Sequence, residues 1–142
     1  MNLYQYFYIS RSKLTSGTDI QHIVHASRSR NATLAITGAL VYSGDHFAQV
    51  LEGIPDALAP LMSAIRHDAR HTILWEWPIQ PAVERWYPEW SMGYLQNDIL
   101  EAVVEHLSRA PPPLPPLAYF VQWLISTSRL NKRSPTPPQR QT

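Results

Sequence analysis

The stretch Leu34-Ala35-Ile36-Thr37-Gly38-Ala39-Leu40-Val41-Tyr42, Ser43-Gly44-Asp45, His46-Phe47-Ala48-Gln49-Val50-Leu51-Glu52-Gly53 decides the fold. Two β-rich runs, Leu34 to Tyr42 and His46 to Glu52, flank a Ser-Gly-Asp tight-turn signal and so form a hairpin. Along the second run, strand alternation puts His46, Ala48, Val50 and Glu52 on one face. Phe47, Gln49 and Leu51 share the other. If helices cover that second face, Gln49 is buried among apolar side chains and its amide must find partners.

Outward from the hairpin, each flank has the same grammar. Leu3 to Ser10, rich in Tyr, Phe and Ile, reads as a buried strand. Thr15 to Thr18 supplies turn and N-cap chemistry, and Ile20, Ile23, Val24 and Ser27 recur at helical spacing from Asp19 to about Ser29. On the other side, Pro55 and Asp56 open a second helix with Leu58, Leu61, Met62 and Ile65 as its apolar stripe. Thr72 to Ile79 reads as a fourth strand and Trp90 to Leu95 as a fifth. The order β-α-β-β-α-β-β predicts an α+β, ferredoxin-like sheet with both helices on one face.

Beyond it, Asp98 to Ser108 predicts a further helix, with Ile99, Val103 and Leu107 along one side. Pro111 to Pro116, five prolines in six residues, must be an extended linker. Leu117 to Leu130 predicts a last helix, apolar almost all round, and Asn131 to Thr142 a disordered tail. After Glu105 there is no acidic residue, and eight of the 13 prolines lie from Pro111 onward. This shift predicts a domain over 1–96, a helical extension over 97–130 and a tail over 131–142.

Composition narrows the function. The 142 residues are 44% hydrophobic, enough for one self-sufficient core. The absence of cysteine excludes disulfides, thiolate metal sites and Cys nucleophiles, and suits a reducing cytoplasm. Neither a signal peptide nor a run of roughly 18 apolar residues is visible, so no membrane role is expected. A net charge of +1 gives no general pull toward nucleic acid, and the basic tail lacks a stacking platform. His22 and His25, three apart on the first helix, lack a third ligand and read as solvent-facing.

Taken singly, the polar and aromatic residues of interest have ordinary structural explanations. Tyr8 fits a core strand, and Gln49 a bulge or a local partner. Asn31 fits a cap closing the first helix, because Asn tolerates the left-handed conformation. Arg70 and His71 suit the end of the second helix, and Trp90 and Met92 the start of a strand.

As a set they carry more. Tyr8, Ser27-Arg28-Ser29-Arg30-Asn31, Ile36-Thr37-Gly38-Ala39-Leu40, Phe47 to Gly53, Asp68 to His71 and Arg85-Trp86-Tyr87-Pro88-Glu89-Trp90-Ser91-Met92-Gly93 keep order and spacing over six segments. That set resembles the BLUF family, flavin-based sensors of blue light, from about Leu3 to Tyr94. The resemblance implies a flavin ring between the two helices, above the sheet. FAD is the family's habit, with FMN or riboflavin able to substitute. Tyr8 is then the electron and proton donor, and Gln49 the switch amide between Tyr8 and the ring. Asn31 would bond the ring's C4 carbonyl and N3 side, while Asp68, Arg70 and His71 fix the ring and its surroundings. Ile23 and Ile65 would sandwich it, and Trp90 and Met92 relay the change outward. Arg30, at a place where family members vary, is read either as reaching the flavin phosphate or, slightly preferred, as solvated.

The resemblance also implies a non-enzymic receptor that signals to a downstream effector protein, with homo-oligomerisation through the apolar last helix. Two other readings stay open on the residues alone. One is a flavin-free interaction module of the same fold. The other is an acylphosphatase-like hydrolase built on Arg11 and Asn31, for which Ser10 to Leu14 lacks a glycine-rich anion cradle.

Overall fold

The computed structural model describes residues 2–15, 17–109, 124, 127 and 129–130. Its elements are β1 (Tyr4–Ser12), α1 (Gly17–Leu34), β2 (Thr37–Tyr42), β3 (His46–Gly53), α2 (Pro55–Arg66), β4 (His71–Pro81), β5 (Gly93–Gln96), α3 (Ile99–Arg109) and β6 (Arg129–Leu130). The sheet order is β4-β1-β3-β2-β5-β6. Strand β3 pairs antiparallel with β1 and β2, β4 pairs antiparallel with β1, and β5 runs parallel to β2. The first four strands thus form the expected ferredoxin-like core, with β5 added beside β2.

Alternation along β3 divides the interior. Phe47 and Leu51 join Tyr6, Tyr8, Ile20, Val24, Leu58, Leu61 and Met92 in one apolar cluster, so α1 and α2 lie over the Gln49 face. Ala48 and Val50 join Phe7, Ile9, Trp77, Leu100, Val103, Val104 and Leu107 in a second cluster, so α3 covers the opposite face. With both faces covered, every residue of β3 is buried. The hairpin turn has Gly44 at φ +100°, a conformation that side chains with a Cβ rarely adopt.

Five expectations need correction. Helix α2 ends at Arg66, so Asp68 to Arg70 lie in the loop after it and His71 opens β4, rather than closing the helix. Helix α1 runs to Leu34, so Asn31 lies inside it, fully buried, and is not a cap. The left-handed residue is Ala35, at φ 55°, and the Ile36 N–H returns to the Asn31 carbonyl at 2.9 Å. Tertiary burial of Asn31 outweighs the cap chemistry that its side chain suggests. Strand β2 accordingly starts at Thr37 rather than Leu34.

Strand β5 starts at Gly93 rather than Trp90, because the preceding residues reach the sheet through single bonds such as Gly38 N–H to the Trp90 carbonyl, 2.9 Å. Arg129–Leu130 form strand β6, antiparallel to β5, where a helix was expected. The rest of that expected helix, apart from Leu124 and Thr127, lies outside the described residues, as do the 111–116 linker and the 131–142 tail. Leu124 is fully buried in the second cluster, and the Asn97 amide donates to its carbonyl at 3.1 Å.

Candidate functional site

The sheet brings two polar residues of the helix-covered face side by side. Tyr8 and Gln49 are directly paired across β1 and β3, and both are buried. The Tyr8 hydroxyl donates to the Gln49 amide oxygen. The Gln49 amide nitrogen turns the other way and donates to the Met92 sulfur at 3.5 Å, a weak acceptor. Burial pushes the Tyr8 phenol up from its ordinary value, and Tyr6 and Asp68 add to the shift. Tyr6 lies 5.7 Å away, ring centre to ring centre, and donates to Glu76 at 2.6 Å. Burial pushes its phenol up as well, reinforced by that carboxylate.

Around this pair is a pocket between α1 and α2. Ile23 and Ile65 line it from the two helices, and Tyr8, Leu40, Phe47 and Gln49 from the sheet. Ser27, Arg30, Asp68, Arg70 and His71 complete the lining. The loop after α2 is held by Asp68, which accepts from the Arg70 backbone N–H and Nε at 2.9 Å each. The Arg70 guanidinium holds the Asp68 carboxyl below the usual carboxylate range, and Asp68 in turn raises Arg70.

His71 is fixed at both ring nitrogens. Nε2 lies 2.8 Å from the Ile65 carbonyl, which can only accept, so Nε2 carries a proton. Nδ1 meets the Ser10 hydroxyl at 2.7 Å. The ring stands edge-on to Tyr8 at 5.6 Å and forms a rigid wall of the cavity.

Asn31 is near the cavity but absent from its lining. Its amide nitrogen donates to the Ser91 carbonyl at 2.8 Å, and its oxygen accepts from Arg30 Nε at 3.2 Å. Trp90 and Met92 part company. Met92 is fully buried against Gln49, while Trp90 joins the opposite cluster and stacks on Tyr87 at 5.7 Å and 18°. The Trp90 ring lies over Gly93, where an added Cβ would sit 2.0 Å from Cε3.

Arg30 is exposed to solvent and also lines the cavity, where partial burial lowers its pKa. Ile23, Ser27 and Arg30 are spaced i, i+4, i+7, a single helix face, and that spacing was the available signal. Arg28 was also missed; its Nε donates to the Met92 carbonyl at 2.9 Å. His22 and His25 are exposed. Among the described residues there is no cluster of three or more His, Asp or Glu suited to a metal, and no helix long and apolar enough to cross a membrane.

Comparison with known proteins places this geometry. The family described as BLUF, sensors of blue-light using FAD, matches residues 3–93. The photoactivated adenylate cyclase subunit beta of Euglena longa is 39% identical over 95 residues, 66% of this chain and 11% of that protein. The chain thus spans about a tenth of the length of the curated relatives it matches. Among solved structures, the dark state of BlrB, a BLUF protein, is 39% identical with a TM-score of 0.65, covering 76% of this chain and 83% of that one. Klebsiella pneumoniae BlrP1, solved with FMN and cyclic diGMP, is 28% identical with a TM-score of 0.65, covering 88% and 35%. The match extends over more than half of the 142 residues and includes both Tyr8 and Gln49: the chain belongs to the BLUF family of blue-light sensors.

Proposed function

We propose that the cavity between α1 and α2 holds the ring of FAD, and that the Tyr8–Gln49 hydrogen bond is the element light rearranges. The residues suit such a ligand. Ile23 and Ile65 offer apolar walls for the two faces of a flat ring, and Gln49, Arg30, Asp68 and Arg70 offer polar contacts at its edges. Asn31 holds Arg30 on one side and Ser91 on the other, and so positions that polar edge. The grip falls mainly on the ring, so FMN or riboflavin should enter the same cavity, and FAD is the choice the family description supports.

A flavin bound there supplies blue-light absorption and, once excited, a strong one-electron acceptor. Tyr8 is the buried donor, and its proton has one direct path, to the Gln49 oxygen it already bonds. Gln49 has a donor end and an acceptor end, so a turn or tautomeric change of the amide alters what it presents to the cavity. Its present N–H partner, a thioether sulfur, resists that change weakly. Met92 and the 90–92 segment then move relative to β5, and the change passes toward α3 and the 97–130 extension. We assign the receiving surface to a downstream effector protein and to a second copy of this chain, in a cytoplasmic, non-enzymic receptor.

The Tyr8–Gln49 bond on the cavity floor carries this reading. Absorption spectra before and after blue light test it. A structured flavin band that moves slightly to the red and recovers in darkness is the expected result. A protein that stays colourless after incubation with FAD would overturn it.

A further inference from the structure

Three residues along β3 from Gln49, on the opposite face, stands a carboxylate that the photochemistry does not use. Glu52 is fully buried, and its two oxygens accept four hydrogen bonds. Oε2 accepts from Gln5 Nε2 at 2.9 Å and from the Trp86 backbone N–H at 2.5 Å. Oε1 accepts from the Thr37 hydroxyl at 2.9 Å and from the Tyr87 backbone N–H at 3.0 Å. Gln5 and Thr37 are its paired neighbours on β1 and β2, so Glu52 joins three central strands to the connector between β4 and β5.

Arg85 closes the same clamp from outside. Its guanidinium donates to the Thr37 hydroxyl at 2.8 Å, to the Glu52 carbonyl at 3.1 Å and to the Ala35 carbonyl at 2.8 Å. From this clamp the connector runs straight to the site. The Trp90 N–H donates to the Tyr87 carbonyl at 3.1 Å, and the two rings stack. Two residues on, Met92 receives the Gln49 amide.

We propose that Glu52 is a positioning residue for the photoreaction: it anchors Trp86 and Tyr87, and thereby holds Met92 against Gln49 and sets the resting direction of that amide. The proposal rests on the flavin-site reading above for its role in light sensing, though not for the placement of Met92. An acceptor-only group is what this position requires. All four partners approach as donors, so the amide group of a glutamine would set its N–H₂ against a backbone N–H.

The test uses the full chain with Glu52→Gln, Arg85→Gln and the milder Thr37→Val. The Met92 methyl resonance, assigned by its loss in Met92→Leu, is followed in flavin-free protein, and dark recovery of the light-shifted band is followed in loaded protein. In Glu52→Gln, Met92 should occupy more than one environment, and recovery should change by about fivefold or more. Arg85→Gln should move both readouts in the same direction by less. A parent-like Met92 signal and recovery rate in every variant that folds, even with lowered melting temperature, would reduce Glu52 to a structural anchor and overturn the proposal. If the parent itself shows no light response, the flavin reading fails, and the Met92 resonance alone still decides this one.

Discussion

The hydroxyl of Tyr8 and the side-chain amide of Gln49 meet at directly paired positions of two central strands, with the phenol donating and the amide oxygen accepting. Both side chains are buried, so the protein's own groups set the direction of the bond. The amide's other end rests on sulfur, leaving it a firm partner on one side and a soft one on the other.

Replacing Gln49 with Leu should keep the cavity and therefore the flavin, while the light-induced red shift disappears. The Tyr8 hydroxyl loses its acceptor in a buried place, a cost of about 1–3 kcal/mol, partly offset by the apolar leucine. Difference spectra and urea unfolding check both parts. A normal light response in this variant would sink the switch assignment.

Stability should fall on the alkaline side. Both Tyr6 and Tyr8 have phenols raised above the ordinary value of about 10. Above that pH the unfolded chain loses protons that the folded chain keeps. Each tyrosine then lowers stability by about 1.4 kcal/mol per pH unit, until pH reaches its folded value. Below pH 10 their contribution is complete and flat. Unfolding curves at pH 9, 10 and 11 measure this, and Tyr8→Phe should remove part of the slope.

Asp68→Asn should weaken flavin binding more than it weakens the fold. The Asp68–Arg70 pair is partly exposed, so its loss should cost no more than about 1 kcal/mol. Its geometry, however, sets where the Arg70 guanidinium stands at the cavity. Flavin affinity should drop by several fold in a fluorescence titration, with little change in melting temperature. In the parent, the depressed Asp68 value means that its stabilisation is present above the ordinary carboxylate range and is lost as pH falls through the folded value.

Deleting residues from Pro111 onward should leave the cavity but weaken the protein. Among the described residues, none of those lining the cavity lies beyond His71. Yet Leu124 is fully buried, and the Asn97 amide bonds the Leu124 carbonyl and the Thr127 hydroxyl. Losing that leucine costs about 1.5–3 kcal/mol, and an orphaned amide adds to it. The truncated protein should still bind FAD when FAD is in excess, with a clearly lower melting temperature. Loss of flavin binding at any concentration would show that the extension completes the site.

The period-two pattern of β3 separates its two faces and sets Gln49 beside Phe47 and Leu51, whereas its role as a switch is what the family resemblance implies. The helices over that face were equally legible from their apolar spacing. Asn31 was misread because its side chain advertises a helix end, whereas burial against Ser91 keeps it helical. Trp90 and Met92 sit two apart in a connector without regular pairing, so alternation could not say which faced inward. Glu52 carried no local signal at all. Its partners come from β1, β2 and a distant connector, and only the folded sheet assembles them. Strand β6 pairs across a long separation in sequence, a contact that local propensity cannot register.

The contact between Trp90 and Gly93 also constrains how this sequence can drift. The indole fills the space that any side chain at position 93 would need, so a substitution there forces the Trp90 ring to shift. A smaller residue at position 90 would free that space, so the two positions are coupled: a side chain at 93 is accommodated most readily when the indole at 90 is gone.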